Sequence, residues 1–391
     1  MNNLKPKRIL FVHYSIYSQK RWGRIFPLAK GAAKCGYNVT LLTTSPKKGV
    51  IYNTKFLDNV KIIMFRDIIP KFFLKKGFVF ISFITRCFYV LLHNYDYVFS
   101  DCGECINTGW ICKIAQWKGA IYISEWGDLL GKGGYYDYKP KWFKVIYGRY
   151  FLWAELYFRK SANYTVVLSS MMKQHAINKG ISKEKIIIVP GGAVSDIITH
   201  AYSDKSQLEI PENIITLGYI GIDNGELQDL RPLIQALHDP LLEGRFKLIV
   251  FGKKINKKYI EELNLSDIIL EKGWIDYYKD PSPLQCVDIY VLMKSDNIYL
   301  SSLGWPNKLG DYMAIGRPVL ITPYGDVSQF IKENPDGFIT IDTEPRNITN
   351  CLYSILNNKY NLKQMGLYNR KVAIEKISWE ARIKLLMHQV R

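Results

Sequence analysis

The sequence predicts an α/β protein built from two doubly wound domains. At 391 residues the chain is too long for one compact core and suits two. Strand-like and helix-like segments alternate from Lys7 onward, stop in an irregular acidic patch at 203–213, and then begin again. We therefore place one domain at 1–200, a second at 201–375, and a final helix at 376–391 that crosses back to the first. A ligand is expected in a central cleft, where the carboxyl ends of both sheets face each other.

The first domain opens with a β-α-β unit of the parallel type. "KRILFVHYS" predicts a strand, "WGRIFPLAKGAAKCGY" predicts a helix ending near Gly36, and "NVTLLTT" predicts the next strand. Further strands are predicted in "YDYVFSD", "GAIYISEW", "NYTVVLS" and "KIIIVPGG". Pro190 and the two glycines after it end the last of these strands.

The second domain repeats the same alternation. Strands are predicted in "IITLGYIG", "FKLIVFG", "IILEKGW", "CVDIYVLM" and "RPVLIT", and a helix in "LQDLRPLIQALHD". A short helix from Lys308 to Ile315 ends at Gly316, and a strand from Pro318 to Thr322 follows it. The amphipathic "ISWEARIKLLMHQV" predicts the last helix.

The excess positive charge lies entirely in the first half of the chain. Residues 1–200 contain 30 Lys and Arg against 11 Asp and Glu, whereas the remainder contains 23 against 24. The first half also holds 35 of the 54 aromatic residues. Basic and aromatic residues together suit an anionic membrane surface or a nucleic acid, and a solvated basic surface over an aromatic core is the alternative.

Cysteine usage and hydropathy indicate a cytoplasmic protein. The seven cysteines are an odd number without a framework spacing, which fits a reducing compartment. Cys102, Cys105 and Cys112 contain one C-x-x-C pair but lack a fourth ligand, so no metal site is predicted. No apolar run reaches the length of a membrane span, and the chain enters a strand without a signal peptide.

Two segments of the first half combine apolar and basic residues. "IIPKFFLKKGFVFISFITRCFYVLLH" is apolar from Gly77 to Leu92 apart from Arg86, and "KPKWFKVIYGRYFLWAELYFRK" interleaves cations with aromatic rings. Either segment is suited to lie at a membrane surface with its cations toward anionic headgroups. The alternative for both is a helix packed on its own sheet.

The stretch "LGWPNKLGDYMAIG" places a lysine and an aspartate at successive turns of one predicted helix. A helix start presents unpaired N–H groups that attract phosphate, and Lys308 adds a full positive charge there. Asp311, one turn later, suits the two hydroxyls of a ribose. The alternative is a solvated pair of opposite charges on a helix surface.

These residues resemble the donor-site signature of retaining glycosyltransferases of the GT-B fold, family 4. The resemblance rests on "GWPNKLGDYMAIGRPVLIT" and extends to "FRKSANYTVVLSSMMKQHAINKGISKEKIIIVPGG", "LGYIG", "FKLIVFG", "LEKGWID", "VDIYVL" and "ISWE", in the order of that family. It covers about half of the chain, mostly from Tyr157 onward. It implies two Rossmann-like domains facing a central cleft, a nucleotide-sugar donor, retention of configuration, and no metal or other cofactor.

The resemblance also assigns donor-site positions. Asp311 takes the place of the glutamate that binds the ribose, and Leu309 and Gly310 lie on the helix start that faces the diphosphate. Gly273–Ile275, which includes Trp274, falls where the backbone holds the base. Leu303 occupies the position of the glutamate that contacts the donor sugar.

Two departures from the family pattern concern the donor. Leu303 cannot bind sugar hydroxyls, so recognition of the sugar must differ from that of the usual member. The family's Arg and Lys after "GYIG" are missing, and Ile222 and acidic residues stand there. Lys308, Lys253 and Arg231 are the candidates to neutralise the diphosphate instead.

On the acceptor side, Glu125 and Asp128 are the candidate catalytic residues. They follow a predicted strand and precede a glycine-rich loop, where a carboxylate can stabilise positive charge at the anomeric carbon or orient the acceptor. The family often has a His-Asp pair near here, but this segment has no histidine. Helix capping is the alternative role. His13, Gly23 and Arg24 are further candidates on the acceptor or phosphate side.

The sequence therefore predicts a glycosyltransferase that uses a nucleotide-sugar and a lipid-linked or polyanionic glycan acceptor in cell-envelope glycan biosynthesis. We expect it in the cytoplasm, peripheral at the inner face of the cell membrane, and without a nucleic-acid partner. A nucleotide-sugar epimerase of the same fold is one alternative, and a basic nucleic-acid-binding protein is the other.

Overall fold

A computed structural model describes residues 6–17, 23–49, 52–68, 80–196, 204–221, 229–252, 267–275, 280–294 and 302–390. The chain forms two compact units. The N-terminal unit comprises Met1–Pro190 and Trp379–Arg391, and the C-terminal unit comprises Gly191–Ser378. Each unit has a largely parallel sheet with helices between its strands, so the predicted α/β class of two Rossmann-like domains is confirmed.

The N-terminal unit alternates strands and helices along most of its length. Its strands are β1 (Arg8–Ile16), β2 (Asn38–Lys48), β3 (Asn53–Leu57), β4 (Val60–Asp67), β5 (Tyr97–Ser100), β6 (Ile121–Trp126), β7 (Tyr164–Val167) and β8 (Ile186–Ile188). Its helices are α1 (Ile25–Lys34), α2 (Phe80–Leu92), α3 (Ile106–Trp117), α4 (Lys141–Ile146), α5 (Gly148–Ser161) and α6 (Ser170–Asn178).

The eight strands of this sheet lie in the order β3-β4-β2-β1-β5-β6-β7-β8. All described pairs are parallel except β3 with β4, which is antiparallel. The order reverses between β1 and β5, and ligands of open α/β sheets bind beyond the carboxyl ends of the strands at such a reversal. The sequence analysis did not identify β3 and β4. Edge strand β3 is largely exposed and its "NTKFL" lacks the apolar run of a central strand.

Helix α2 lies in one of the two segments predicted to lie at a membrane surface. Tyr89 and Val90 on one side of α2 are buried in the core of the unit. Arg86 is fully buried, donates to the carbonyl oxygens of His13 and Asn107 at 2.9 Å each, and binds Thr44. Burial lowers the pKa of this guanidinium to about 10. Arg86 therefore ties α2 to the sheet, in agreement with the packed-helix alternative for that part of the segment; residues 69–79 lie outside the described part of the chain.

The C-terminal unit has a six-stranded parallel sheet. Its strands are β9 (Ile215–Gly221), β10 (Phe246–Gly252), β11 (Ile269–Gly273), β12 (Ile289–Leu292), β13 (Val319–Ile321) and β14 (Phe338–Thr340). Its helices are α7 (Arg231–Leu237), α8 (Asn307–Ile315), α9 (Gly325–Glu333), α10 (Pro345–Leu356) and α11 (Leu362–Glu375). The strand order is β11-β10-β9-β12-β13-β14, so the reversal falls between β9 and β12.

Helix α8 confirms the helix predicted from Lys308 to Ile315. It ends at Gly316, whose φ of +80° is a left-handed conformation that glycine adopts without strain. A side chain at Gly310 would place its Cβ 2.2 Å from the carbonyl oxygen of Gly192. The backbone of 191–193 therefore packs directly on α8, which explains why the C-terminal unit begins at Gly191.

The last helix, α12 (Trp379–Gln389), packs on α1 in the N-terminal unit. A Cβ at Gly31 would lie 2.8 Å from the backbone of Trp379, so the two helices touch backbone to backbone. Lys34 also forms an ion pair with Glu380 at 2.8 Å. None of the helices in the described part of the chain is both long and apolar enough to cross a bilayer.

Candidate functional site

In the C-terminal unit, the start of α8 lies against the carboxyl end of β9. The Nζ of Lys308 is 4.4 Å from the ring centroid of Tyr219 and 3.3 Å from its hydroxyl. A Cβ at Gly221, which has a φ of +128°, would lie 2.7 Å from the same Nζ. Lys308 therefore reaches the end of the strand beside the reversal, where a glycine leaves room for its ammonium group. Its position beside the first backbone N–H groups of α8 suits an anionic ligand.

The rest of α8 is held rigidly against the sheet. Leu309, Gly310 and Asp311 are all buried. The hydroxyl of Tyr312 accepts a hydrogen bond of 2.9 Å from the backbone N–H of Ile220, next to Gly221. The Tyr312 ring also stacks on Tyr290 of β12, with centroids 4.2 Å apart. These contacts link α8 to both strands at the reversal, so that the positions of Lys308 and Asp311 are set by packing.

The segment predicted to hold the base, Gly273–Ile275, begins at the last residue of edge strand β11. Gly273 has a φ of +67° and an added Cβ would meet no atom within 4 Å. The side chain of Trp274 is 63% exposed. An exposed indole beside open backbone can stack on a planar ring while the backbone hydrogen-bonds to its edge. Gly273–Ile275 is thus accessible, as a base-binding segment requires.

The other predicted donor residues have different surroundings. Leu303 is buried with 5% exposure, so it contributes apolar surface and no hydrogen bond from its side chain. Arg231, at the start of α7, is exposed and forms a bidentate pair with Asp229, with Nη2 2.6 Å from Oδ2. This local pair already neutralises much of the charge of Arg231. Lys253 lies outside the described residues.

In the N-terminal unit, the reversal between β1 and β5 carries a histidine–aspartate pair. The Nδ1 of His13 is hydrogen-bonded to Oδ2 of Asp101, the residue that follows β5. His13 is 2% exposed. His13 was predicted from the sequence, whereas Asp101 was not. The signal was the aspartate directly after "YDYVFS", because adjacent parallel strands end at the same edge of a sheet.

Glu125 is buried in an ion pair instead of facing solvent. Its Oε1 accepts a hydrogen bond of 2.6 Å from Nε of Arg24, and Nη2 of Arg24 donates to the carbonyl oxygen of Val189 at 2.9 Å. Burial raises the pKa of Glu125, and Arg24 opposes that rise. The pair connects the start of α1 with the ends of β6 and β8, which is a structural role. Asp128, three residues later, is exposed to solvent, although the surrounding protein raises the pKa of its carboxyl by desolvation and Arg24 opposes that rise.

The glycine-rich loop after β6 is anchored by a second buried carboxylate. Oε1 of Glu155 accepts a hydrogen bond of 2.9 Å from the N–H of Gly131. Nearby, Arg159 of α5 pairs with Glu104 at 3.1 Å and lies 4.8 Å from the Trp126 ring. The loop that bears Asp128 is therefore anchored to Glu155 of α5, the helix whose Arg159 is paired with Glu104.

The described residues contain no cluster of three or more His, Cys, Asp or Glu side chains that could hold a metal ion. Cys102, Cys105 and Cys112 do lie in the described part of the chain. Burial raises the pKa of all three thiols well above the usual range, which opposes the thiolate form that binds metals.

A cavity of about 590 Å³ in the C-terminal unit lies at the opposite edge of the sheet. Its lining includes Ile215 at the start of β9, Asp288 before β12, and Lys205, which pairs with Asp288 at 2.8 Å. Ligands of parallel sheets bind at the carboxyl ends of the strands. We therefore do not assign this cavity to the donor.

A family model matches most of the C-terminal unit. Residues 213–358 match the family model described as Glycosyl transferases group 1. The chain is 24% identical over 231 residues to an uncharacterized glycosyltransferase of Methanocaldococcus jannaschii, covering 58% of this chain and 57% of that protein. It is 22% identical over 161 residues to spore coat protein SA of Bacillus subtilis, covering 38% of this chain and 41% of that protein. The matches thus span about half the length of these relatives.

Solved structures match nearly the whole chain. Sucrose-phosphate synthase from Thermosynechococcus elongatus has a TM-score of 0.69 at 15% identity, and the coverage is 98% of both chains. Anabaena HepE in complex with UDP and glucose has a TM-score of 0.67 at 14% identity, again with 98% of both chains. WaaG, a glycosyltransferase involved in lipopolysaccharide biosynthesis, has a TM-score of 0.62 at 14% identity over 96% of this chain and 98% of that one. At these identities the likeness shows the fold, which is GT-B.

Proposed function

We propose that this chain, with its GT-B fold and group 1 glycosyl transferase domain, transfers a sugar from a nucleotide-sugar donor to a hydroxyl of an acceptor. The start of α8 carries this proposal. Lys308 and the first N–H groups of that helix lie beside the carboxyl end of β9, at the strand reversal. They are placed to neutralise the charge that develops on a leaving diphosphate. Asp311 then accepts hydrogen bonds from the ribose.

We infer further that transfer proceeds with retention and without a metal, as the family resemblance implies. Neutralisation of the charge on the leaving diphosphate then depends on Lys308 and the start of α8. In the N-terminal unit, exposed Asp128 and the His13–Asp101 pair are the groups available to orient an acceptor hydroxyl or stabilise positive charge at the anomeric carbon. Glu125, already paired with Arg24, holds the loop in position.

We also infer that the acceptor is lipid-linked or a polysaccharide of the cell envelope, and that the enzyme works in the cytoplasm at the inner face of the membrane. Helix α4 supports this inference. Trp142, Val145 and Ile146 are 50%, 81% and 80% exposed, and Lys141 and Lys144 lie among them. A short helix with apolar side chains directed to solvent between cations suits an anionic lipid surface.

The proposed binding of the nucleotide-sugar donor is tested by thermal-shift measurements with UDP, GDP and CMP. A ligand that binds the folded state raises the melting temperature of the protein. Calorimetry with the nucleoside diphosphate that binds then compares Asp311→Ala and Lys308→Ala with the unsubstituted protein. We expect each substitution to weaken binding about 10- to 100-fold, the range for a hydrogen bond to a charged group.

The control for these variants is Asp336→Ala, which removes an exposed carboxylate of the same unit. Circular dichroism verifies that every variant is folded. Equal affinities in the control, in Asp311→Ala and in Lys308→Ala would contradict the assignment of α8 to the donor. Binding of no nucleotide at all would contradict the proposed activity.

A further inference from the structure

Lys294 is a buried cation at the edge of the sheet where the donor is proposed to bind. It follows β12 by two residues, at the strand reversal of the C-terminal unit. Its side chain is 9% exposed, and its Nζ lies 4.8 Å from the ring centroid of Tyr324. Within the described ranges, no carboxylate forms an ion pair with it. Neither the family resemblance nor the sequence analysis assigned it a role.

Two hydroxyl groups beside Lys294 also lack hydrogen-bond partners within the described residues. Thr322 directly follows β13, and its N–H donates to the carbonyl oxygen of Leu292 at 3.2 Å, so it lies next to the end of β12. The Oγ1 of Thr322 and the hydroxyl of Tyr324 are both buried without a partner. Buried polar groups are nearly always satisfied in folded proteins, so two unsatisfied hydroxyl groups beside a buried cation point to a ligand.

The chemistry of these groups selects an anion. The ammonium group of Lys294 has three donors and no acceptor, and each hydroxyl can donate one hydrogen bond. Carboxylate or phosphate oxygens accept such bonds and supply the missing negative charge. Burial lowers the pKa of Lys294 to about 8, so the group is still mainly charged at neutral pH.

The surroundings of Tyr324 point to the sugar end of the donor. A Cβ on Gly325, the next residue, would lie 3.0 Å from Cβ of Ser302, so this loop packs on the residue that precedes Leu303. The sequence analysis places Leu303 at the donor sugar, where the glutamate of the usual member would repel an acidic sugar. Lys308, in contrast, lies at the end of β9 beside the start of α8. The two cations thus lie beside different strands, Lys294 after β12 and Lys308 at the end of β9.

We propose that Lys294, Tyr324 and Thr322 bind a carboxylate carried by the donor sugar, so that the preferred donor is a nucleoside-diphosphate uronic acid. This inference rests on the proposed function. The apolar Leu303 removes the repelling carboxylate, and Lys294 supplies the attracting charge. A neutral hexose would leave the ammonium group buried and unpaired, which disfavours its binding.

The test compares pairs of donors that differ only in oxidation at C6 of the sugar. Calorimetry at pH 7 measures UDP, UDP-glucose and UDP-glucuronate, and then GDP, GDP-mannose and GDP-mannuronate, with the full-length protein. We expect the uronate to bind at least about 10-fold more tightly than the hexose, and Lys294→Met to remove that preference. In Lys294→Met, the affinity for UDP or GDP alone should stay within about 2-fold of that of the unsubstituted protein. Tyr324→Phe gives a smaller loss of about 3- to 10-fold for the uronate.

The matched control is Lys332→Met, which removes an exposed lysine from α9, the helix that follows Tyr324. Equal loss of UDP or GDP and of the uronate in Lys294→Met would show that Lys294 binds the diphosphate, and would overturn the sugar assignment. Binding of a nucleoside diphosphate with no preference for the uronate in the unsubstituted protein would also overturn it. Failure of every nucleotide to bind would instead contradict the proposed function.

Discussion

The carboxyl edges of the two sheets differ in whether their buried charged side chains have partners within the protein. In the N-terminal unit buried cations have partners within the protein: Arg24 pairs with Glu125 and Arg159 with Glu104, whereas Arg86 donates to carbonyl oxygens and to Thr44. In the C-terminal unit Lys294 is buried at the corresponding edge without a carboxylate partner in the described part of the chain. The first edge therefore supplies protein partners for these cations, whereas we propose that a ligand supplies the partner for Lys294 at the second.

This difference matters because an isolated buried charge is costly and persists only where something compensates it. In the N-terminal unit the buried pair of Arg24 and Glu125 connects the start of α1 with the ends of β6 and β8. We expect the ammonium group of Lys294, which has no carboxylate partner in the described part of the chain, to lower the stability of the free protein and to strengthen the binding of an anion. Stability and binding measurements on matched variants can separate these two roles.

The largest effect is expected from breaking the pair in the N-terminal unit. Arg24→Met leaves the Glu125 carboxylate buried without its partner, and should lower the free energy of unfolding by about 3–5 kcal/mol. Urea denaturation monitored by circular dichroism measures this change. The double variant Arg24→Met/Glu125→Leu should recover most of the loss, since it removes both charges.

The control for this pair is Lys30→Met, which breaks a partly exposed ion pair with Asp58 at 3.2 Å. Exposed pairs contribute about 0–1 kcal/mol. If Arg24→Met cost no more than Lys30→Met, the buried pair would not be the structural link described here.

The opposite sign is expected at Lys294. Its pKa falls from 10.5 to about 8 on folding, so Lys294→Met should raise the stability of the ligand-free protein at pH 7 by on the order of 3 kcal/mol. Between pH 8 and 10.5 the unfolded chain binds more protons at this site than the folded chain. The free energy of unfolding of the unsubstituted protein therefore contains a contribution from Lys294 that increases with pH across that window.

Thermal melts of both proteins from pH 7 to 10.5 test this prediction, and the difference between them should shrink as pH rises. Lys332→Met removes an exposed lysine, so its melting temperature should match that of the unsubstituted protein at every pH. A lower stability of Lys294→Met at pH 7 would mean that the ammonium group is compensated in the free protein, and the contrast between the two edges would fail.

The smallest effect on stability is expected on the outer surface of the N-terminal unit. The double variant Trp142→Ser/Ile146→Ser removes exposed apolar groups of α4, so its stability should change by no more than about 0.5 kcal/mol. Flotation with anionic liposomes at moderate salt should nevertheless show at least about a 10-fold loss of binding, because these side chains would enter the lipid interface.

Leu241→Ser is the control, since Leu241 is 61% exposed in the unit without excess positive charge. Leu241→Ser should bind anionic liposomes to the same extent as the unsubstituted protein. If the unsubstituted protein did not bind anionic liposomes, the membrane part of the proposed function would be wrong.

Local features of the sequence were enough to predict most of the fold. The alternation of strands and helices and helix α8 depend on apolar periodicity, Pro306 and Gly316, which act within a few residues of the chain. Edge strand β3 was missed because an exposed strand lacks that periodicity, and its partner β4 was missed with it. The membrane interpretation of the α2 segment depended on its apolar composition, and the structure shows that Arg86 within it is buried against the sheet.

The sequence by itself determined the α/β class, the position of α8 and the unequal distribution of charge, since each depends on residue identity and short spacing. Only the tertiary structure decided which charges are paired. Glu125 meets Arg24 across 101 positions and His13 meets Asp101 across 88, and Lys294 meets no acid in the part of the chain described. Parallel strands bring such distant residues to one edge, and burial there makes the presence or absence of a partner decisive.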